Sequence, residues 1–414
     1  MVRALKQFET RQLRVARKDI KLNIANRARN ALFFIFFTQP IVLGAWLPRI
    51  PEIQDKLGLS PAELAMALIG APIGTLSSLL VAGRIGDALG AKRTMAVFYP
   101  LFFAAMLAPL IAPSQLTLAI ALAAVGSSIS ILELGMNIAA DEVEKQFDHL
   151  VMSKAHGLWS LGLMVGTLAG SGAAAIQFAP VWTGIILSVL FLPAGYFGLS
   201  MLALAEHQKP VKPETKPKFT LPHPVLLAIC AFTFGTTLTE GAVADWAAIF
   251  MRDAQSAGPG LAGLAVTAFT LVVALARLSG DRMRKTFRTE QLALVLAIIG
   301  LVGVGVIYIS SSAIMAMLGF SLLGLGVSLA FPLAVSAAAN APGRSPANNM
   351  AILSFLALTG FLVGPVSIGF VAEATSIRQG LLVLAPMLII SAIFAFALKS
   401  RSTSTTTTIE SAAQ

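Results

Sequence analysis

The chain has 414 residues, of which 56% are hydrophobic and only 12% charged, with a mean hydropathy of +0.80. Soluble proteins carry about 25% charged residues, so a water-soluble fold of this size would lack the charge to cover its surface. The high hydrophobic content also excludes an intrinsically disordered chain, and the single cysteine, Cys230, excludes a disulfide scaffold. The composition therefore predicts an all-α integral membrane protein.

Apolar segments recur along the whole chain, each with the length of about 20 residues that a transmembrane helix needs. They predict twelve spans, near residues 31–48, 62–83, 94–112, 115–138, 155–177, 181–204, 224–248, 261–280, 290–309, 312–338, 348–371 and 379–398.

The basic residues test this map. With the N-terminus in the cytoplasm, all but four of the 30 Lys and Arg residues fall on the cytoplasmic side. This assignment counts Arg277 among the residues of the eighth loop. Because cytoplasmic loops of membrane proteins carry the excess of Lys and Arg, both termini are predicted to be cytoplasmic.

Composition also divides the chain. A basic cytoplasmic tail, 1–30, precedes a first bundle of six helices, 31–204. Residues 205–223 are rich in proline and lysine, which is typical of a linker. A second six-helix bundle, 224–399, follows, and the Ser/Thr-rich end, 400–414, is predicted to be a disordered cytoplasmic tail.

The two halves repeat. A shift of 194 residues superimposes Gly86-Asp87 on Gly280-Asp281, and it also superimposes Ser160, Gly166 and Gly170 on Ser354, Gly360 and Gly364. Two pseudo-symmetric bundles with a site between them at the membrane midplane are the layout of a secondary transporter.

A short motif follows the second predicted span, where glycines, an acid and a basic pair alternate at fixed spacing. It is formed by Gly83, Asp87, Gly90, Lys92 and Arg93. This pattern resembles the signature of the major facilitator superfamily, and the resemblance covers roughly residues 31–398. It implies that the motif acts as a conformational latch between the halves on the cytoplasmic side. The alternative is an anchor that only fixes topology.

The second copy of the motif is less complete. Gly280 and Asp281 are retained, but Arg284 stands where Gly90 would align. Asp281 is therefore included in the predicted latch. A finer resemblance, to bacterial fucose-permease-like proteins, rests on Ala244-Asp245-Trp246 after Glu240 and on the start of span five, Met152 to His156.

One acid stands deep in an apolar segment. Glu133 follows a run of apolar and small residues in span four, and Asn137 lies four residues later, on the same helix face. Ionisable groups in hydrocarbon normally face the protein interior and carry function. Fucose-permease-like proteins, which this chain resembles, use a glutamate in span four for proton coupling, and the resemblance implies that role for Glu133. They also use an acid in span one, where this chain has only Thr38 and Gln39 as polar residues. Glu133 is the predicted proton-coupling residue, unless it pairs structurally or reaches the interface; Gln39 and Asn137 are predicted solute ligands.

Span seven carries further polar residues, placed toward the outer side. Glu240 is the second candidate for proton coupling, and Asp245 and Trp246 are candidates for substrate binding. The alternatives are a hydrated helix end for the acids and, for Trp246 and the equivalent Trp46, an aromatic anchor at the membrane interface.

No phosphate-binding loop of the GxxxxGK[ST] type occurs, and one cysteine with four histidines predicts no metal site. We therefore predict no enzymatic activity and no cofactor. The predicted function is secondary active transport of a small polar solute by alternating access, as proton-coupled uptake through a bacterial inner membrane. Proton-driven export is the alternative, and a non-transporting sensor or scaffold a remote one. Partners would be the solute, protons and membrane lipids, with no nucleic acid, and the protein would act as a monomer.

Overall fold

A computed structural model of the chain describes residues 23–147, 151–204 and 221–399. This described part is helical and contains no strand. It has eleven helices long and apolar enough to span a membrane, and one of them divides in two. We number the resulting segments α1 Asn23–Leu57, α2 61–89, α3 91–111, α4 Gln115–Phe147, α5 Met152–Ala175, α6 Pro180–Met201, α7 Pro224–Gln255, α8 Pro259–Thr286, α9 Thr289–Ile309, α10 Ala313–Ala339, α11 Pro346–Ala374 and α12 Ile377–Leu398.

The helix that divides is Pro61–Ile111, with 51 residues. At 1.5 Å per residue it would be about 75 Å long if straight, more than twice the roughly 30 Å of hydrocarbon in a bilayer. Gly90 breaks it with φ 73° and ψ 164°, and the two ends return to the same level, where the Gln115 Nε2 atom donates to the Glu63 carbonyl at 2.8 Å. The twelve predicted spans are therefore confirmed.

Several helices extend beyond the predicted spans, for example α4 to Phe147 and α7 to Gln255, and two differences change how the chain is organised. The sequence analysis expects a loop between residues 83 and 94, whereas helix continues on both sides of Gly90, because a single residue in a glycine-only conformation reverses the chain. Helix α1 is already present at Asn23, the first described residue, inside the predicted tail 1–30. Its first turns are held in place by Ala25 and Ala28, which are buried. Residues 1–22, most of the linker and the predicted C-terminal tail lie outside the described residues.

Close helix contacts repeat between the halves. A Cβ atom on Gly166 of α5 would lie 2.1 Å from the Ile41 carbonyl oxygen of α1. A Cβ atom on Gly360 of α11 would lie 2.9 Å from the Leu238 nitrogen of α7 and 3.0 Å from the Phe234 carbonyl oxygen. Since the shift of 194 residues relates α1 to α7 and α5 to α11, the same pair of helices packs through glycine in each half. The predicted pseudo-symmetry is confirmed.

The two halves meet along α5 and α8, which run antiparallel over their whole length. Contacts extend from Gly157 against Leu278, through a 3.2 Å bond between the Thr167 and Thr270 hydroxyls, to Gly260 against Ala175. The residues facing each other along this contact are mostly small, which allows close approach of the two backbones.

The halves also meet at one end of the molecule, which carries residues 47–62, 249–262 and 369–378 and which we call the sealed end. There, Gly369 of α11 packs against Ala65 of α2, and the Glu373 carboxylate accepts from the Ala62 nitrogen at 3.3 Å. The Arg252 guanidinium of α7 reaches α1 of the first half, where it bonds the Asp55 carboxylate at 2.7 Å and the Gln54 side-chain oxygen at 2.8 Å.

Candidate functional site

Two polar pairs join α4 to α5. The Glu133 carboxyl group of α4 lies within hydrogen-bonding reach of the Trp159 indole of α5. One turn along both helices, the His156 Nε2 atom lies 3.2 Å from the Asn137 Oδ1 atom. The predicted common face of Glu133 and Asn137 is therefore confirmed, and that face points at α5.

The Trp159 indole also reaches α1. Its Nε1 atom donates to the Gln39 Oε1 atom at 2.8 Å. Because an indole nitrogen can only donate, this contact fixes the Gln39 amide with its oxygen toward the ring. Gln39 is fully buried, and its Nε2 atom has no hydrogen-bond partner among the described residues. A buried amide donor without an acceptor is costly, so Gln39 has a free hydrogen-bonding capacity beside Glu133.

An ion pair lies in the second half. The Arg277 Nη2 atom of α8 contacts both carboxylate oxygens of Glu240 of α7, at 2.9 and 3.2 Å. The Nη1 atom donates to the Ser160 hydroxyl of α5 at 2.9 Å, and the Nε atom donates to the Ser328 carbonyl at 3.1 Å. Ser328 lies at the break within α10, between the helical stretches Ala313–Val327 and Ala330–Ala339, where its carbonyl is available. The guanidinium thus connects three helices of the second half to one of the first.

The two groups share helix α5. His156, Trp159 and Ser160 are spaced by three and four residues and therefore occupy one face of this helix. Through this face, α5 contacts the acid of α4, the amide of α1 and the arginine of α8. We call these residues the central cluster: Gln39, Glu133, Asn137, His156, Trp159, Ser160, Glu240 and Arg277. It lies between the two halves, where a transporter of this layout binds its solute.

The position of Arg277 differs from the prediction that it belongs to the eighth loop. It was counted with the cytoplasmic basic residues, but it lies within α8 and is bonded to Glu240, near the middle of α7. The same contact places Glu240 centrally rather than toward the outer side. A signal was available, since Arg277 falls inside the predicted span 261–280, and an arginine inside an apolar segment normally pairs in the protein interior. Trp159 and Ser160 carried no such signal.

Asp245 and Trp246 lie away from the central cluster. In the described part of the structure, neither side chain forms a hydrogen bond: Asp245 is half-buried without a partner, and the indole nitrogen of the fully buried Trp246 is unpaired. Trp246 packs against Gly369 at the sealed end and lines a pocket of about 370 Å³ there. An interfacial anchor requires exposure, so that interpretation is wrong for Trp246 and for Trp46, which are 0% and 5% exposed. Substrate binding by Asp245 and Trp246 stays a prediction.

Sequence comparison identifies the fold family. The profile of the Major Facilitator Superfamily matches residues 32–347. The chain belongs to this superfamily. It is 28% identical over 347 residues to an uncharacterized MFS-type transporter of Yersinia pestis, covering 83% of this chain and 88% of that protein. It is 27% identical over 356 residues to the membrane protein MosC of Rhizobium meliloti, covering 85% of each.

Solved structures of superfamily transporters share the architecture. The nucleoside transporter NupG superposes with a TM-score of 0.71 at 13% identity, covering 90% of this chain and 99% of NupG. The E. coli fucose:proton symporter FucP superposes with a TM-score of 0.61 at 13% identity, covering 90% of this chain and 98% of FucP. These likenesses confirm the superfamily fold; at such identities they do not extend to the finer fucose-permease resemblance.

The signature motif of the superfamily lies at the end of the first half opposite the sealed end. Gly83, Asp87 and Arg93 are exposed there, and the Lys92 Nζ atom donates to the Leu202 carbonyl, which follows α6 in the same half, at 3.0 Å. Gly90 has a defined role, the reversal between α2 and α3. The side chain of Asp281 lies outside the described part of the structure, and the latch stays a prediction.

Proposed function

We propose that this superfamily transporter takes up a small polar solute together with protons. The observation that carries the proposal is the contrast between the two central acids. Glu240 faces a guanidinium, whereas Glu133 has no basic partner in the described part of the chain and has only the neutral Trp159 within hydrogen-bonding reach. An uncompensated charge is costly away from water. Loss or gain of a proton therefore changes the energy of the Glu133 site more strongly than that of the Glu240 site.

The solute would bind at the central cluster. The unpaired Gln39 amide nitrogen, the Asn137 amide and the His156 ring supply both donors and acceptors, and the Trp159 ring supplies a flat apolar surface. A few polar groups set around an aromatic face are typical of sites for small molecules. Because Ser160 and Arg277 connect the halves at the same level, a bound solute would contact both bundles.

The sealed end is assigned to the periplasm and both termini to the cytoplasm, since the basic residues are concentrated at the other end. In this arrangement the conformation described above is closed to the outside by Arg252, Asp55 and the α2–α11 contact. Rotation of the bundles would break these contacts and admit solute. FucP, whose name describes a fucose:proton symporter, has the same architecture, and this architecture is compatible with proton-coupled uptake of a small polar solute.

The experiment is transport into proteoliposomes. Thermal-shift screening against sugars, amino acids, organic acids and nucleosides first identifies a solute, because ligands that bind the folded state raise its melting temperature. Accumulation under a proton gradient and gradient-free counterflow are then compared for Glu133→Gln and for a matched control, Glu63→Gln, whose carboxylate is exposed in a helix cap.

We expect Glu133→Gln to lose gradient-driven accumulation and to keep counterflow, while the control keeps both. Unchanged accumulation in Glu133→Gln would remove the proton-coupling assignment. Acceleration of solute exit from loaded vesicles by an inward proton gradient would indicate antiport and therefore export. Absence of counterflow for every solute that stabilises the wild-type protein would contradict transport itself.

A further inference from the structure

The Trp159 indole has a single N–H and two acceptors. It donates to the Gln39 Oε1 atom at 2.8 Å, and the Glu133 carboxyl group lies within its reach as a second acceptor. The three side chains come from α5, α1 and α4, so the position of one proton links three helices of the first half. A donor shared between two acceptors has two arrangements, and the charge on either acceptor selects between them.

The donors and acceptors around this indole do not balance in the present state. Gln39 is fully buried, and its Nε2 atom lacks an acceptor in the part of the chain that the structure describes. An ionised Glu133 offers acceptor sites only, whereas a protonated Glu133 is itself a donor. A protonated Glu133 no longer needs the Trp159 N–H, because it carries an O–H donor of its own. The indole N–H then donates to Gln39 alone.

The next residue of α5 joins the other half. Ser160 accepts from the Arg277 Nη1 atom at 2.9 Å, and the same guanidinium holds Glu240. Ser160 also donates to the His156 carbonyl at 3.1 Å, within the same helical turn. A movement of the Trp159 side chain that shifts this turn would displace the Ser160 hydroxyl and so directly perturb the Arg277–Glu240 ion pair.

We propose that Trp159 is the positioning residue that conveys the protonation state of Glu133 to the Arg277–Glu240 ion pair of the second half. With Glu133 ionised, the carboxylate draws the indole N–H; with Glu133 protonated, the N–H belongs to Gln39 and the α5 turn relaxes toward α1. This inference rests on the proposed function only in taking Glu133 as the residue that exchanges the proton.

Other titratable groups lie near Trp159 and have to be separated from Glu133. His156 stands one turn away on α5, Arg277 approaches from α8, and Glu240 approaches from α7. Helix α1 contributes only the neutral Gln39 and Thr38 to this region. Any pH effect on Trp159 must therefore be tested against His156 and Glu240.

The test is fluorine NMR of the full-length protein in detergent micelles, with 5-fluorotryptophan in place of its four tryptophans. Trp159→Phe assigns the Trp159 signal by its absence. We expect this signal to move with pH through one transition. The transition should be absent in Glu133→Gln, displaced in Glu133→Asp, and retained in His156→Gln and Glu240→Gln.

A pH-invariant Trp159 signal in the wild-type protein would overturn the proposal, and so would an unchanged transition in Glu133→Gln. If Glu133→Gln fails to fold, Glu133→Asp takes its place as the test. A displaced transition supports the proposal, and an unchanged transition overturns it. A second measurement tests the link to the other half. With Ser160→Ala the Trp159 transition should remain, while its effect on a fluorine label at residue 331 of α10, three residues after the Ser328 that Arg277 contacts, should be lost although it is present in the wild-type background. A label at residue 331 that responds equally with Ser160→Ala would contradict that link.

The outcomes separate this proposal from the proposed function. If transport is proton-coupled through Glu133 but the Trp159 signal ignores Glu133, only the role of Trp159 is wrong. If the Trp159 signal follows Glu133 but no proton-driven transport occurs, only the coupling function is wrong.

Discussion

The Arg277–Glu240 ion pair gives the sharpest quantitative test of the central cluster. Both side chains are mostly withdrawn from solvent, with 16% and 21% exposure. Removal of one partner of a buried pair typically costs 3–5 kcal/mol, because the other charge is left uncompensated. With the residual exposure, we expect Arg277→Gln to lower the free energy of unfolding by about 3 kcal/mol, toward the lower end of that range.

Glu240→Gln should cost less, about 1–2 kcal/mol. The guanidinium would keep its bonds to the Ser160 hydroxyl and the Ser328 carbonyl, so its charge stays partly solvated by the protein. The double variant removes both charges and should be more stable than the sum of the two losses predicts. We expect a coupling energy of about 1–3 kcal/mol, the range for residues in direct contact.

The assay is reversible unfolding in mixed detergent micelles, with the free energy extrapolated to zero denaturing detergent and the slope compared between variants. The control cycle uses Lys145→Gln and Asp141→Asn. That pair has a shorter distance, 2.6 Å, but 74% and 49% exposure, and should couple by about 0.5 kcal/mol or less. If the Arg277–Glu240 cycle gives no more than the control cycle, the ion pair does not stabilise the packing of α7 against α8 and the reasoning fails.

Three further predictions follow from local geometry. Gly166→Ala places a methyl group 2.1 Å from the Ile41 carbonyl oxygen, whereas Gly172→Ala on the same helix meets nothing within 4 Å; thermal unfolding should show a loss of about 1–3 kcal/mol for the first only, and equal melting temperatures would contradict the packing. Gly90→Ala forces φ 73° and ψ 164° on a residue with a side chain, so it should lower expression and melting temperature through about 1–3 kcal/mol of strain, while Gly83→Ala, which meets nothing within 4 Å, should leave both unchanged. Cysteines in place of Ala62 and Glu373, joined by a short bifunctional maleimide, should hold the sealed end closed and stop counterflow. Cleavage of a cleavable linker should restore counterflow. Continued counterflow after complete cross-linking would show that this end does not open during transport.

The predictable part of this fold is what the membrane imposes. Hydrocarbon thickness and the cost of an unpaired backbone group determine the number and length of the helices, so twelve spans could be read from apolar segments alone. The reversal at Gly90 was not predictable at the level of a single residue, because a helix that stops and restarts has the same composition as a short loop. Repeats were visible because close packing requires glycine at equivalent places, as at Gly166 and Gly360.

The candidate site was only partly predictable. Glu133 and Asn137 stand out because a polar residue in an apolar segment is costly, and their common face follows from helical periodicity. Their partners, Trp159 and His156, do not stand out, since aromatic residues are common at the ends of spans. Arg277 was misassigned because it lies near the loop that repeats the signature motif, and a basic residue there satisfies the charge rule equally well. Only the packing of α8 against α5 and α7 shows that Arg277 is paired inside the protein and does not belong to the loop.

The antiparallel contact of α5 with α8 differs from its pseudo-symmetric counterpart, α2 with α11, in one respect: the first extends over the whole length of the helices, and contacts of the second are found at the sealed end. The rotation that opens this end must therefore pivot on α5 and α8 and swing α2 away from α11. Small residues along the pivot allow the helices to roll with few side chains to disengage. Enlarging a residue on the pivot would then slow the exchange between states without favouring either, whereas enlarging one between Ala65 and Gly369 would populate the state in which the sealed end is open.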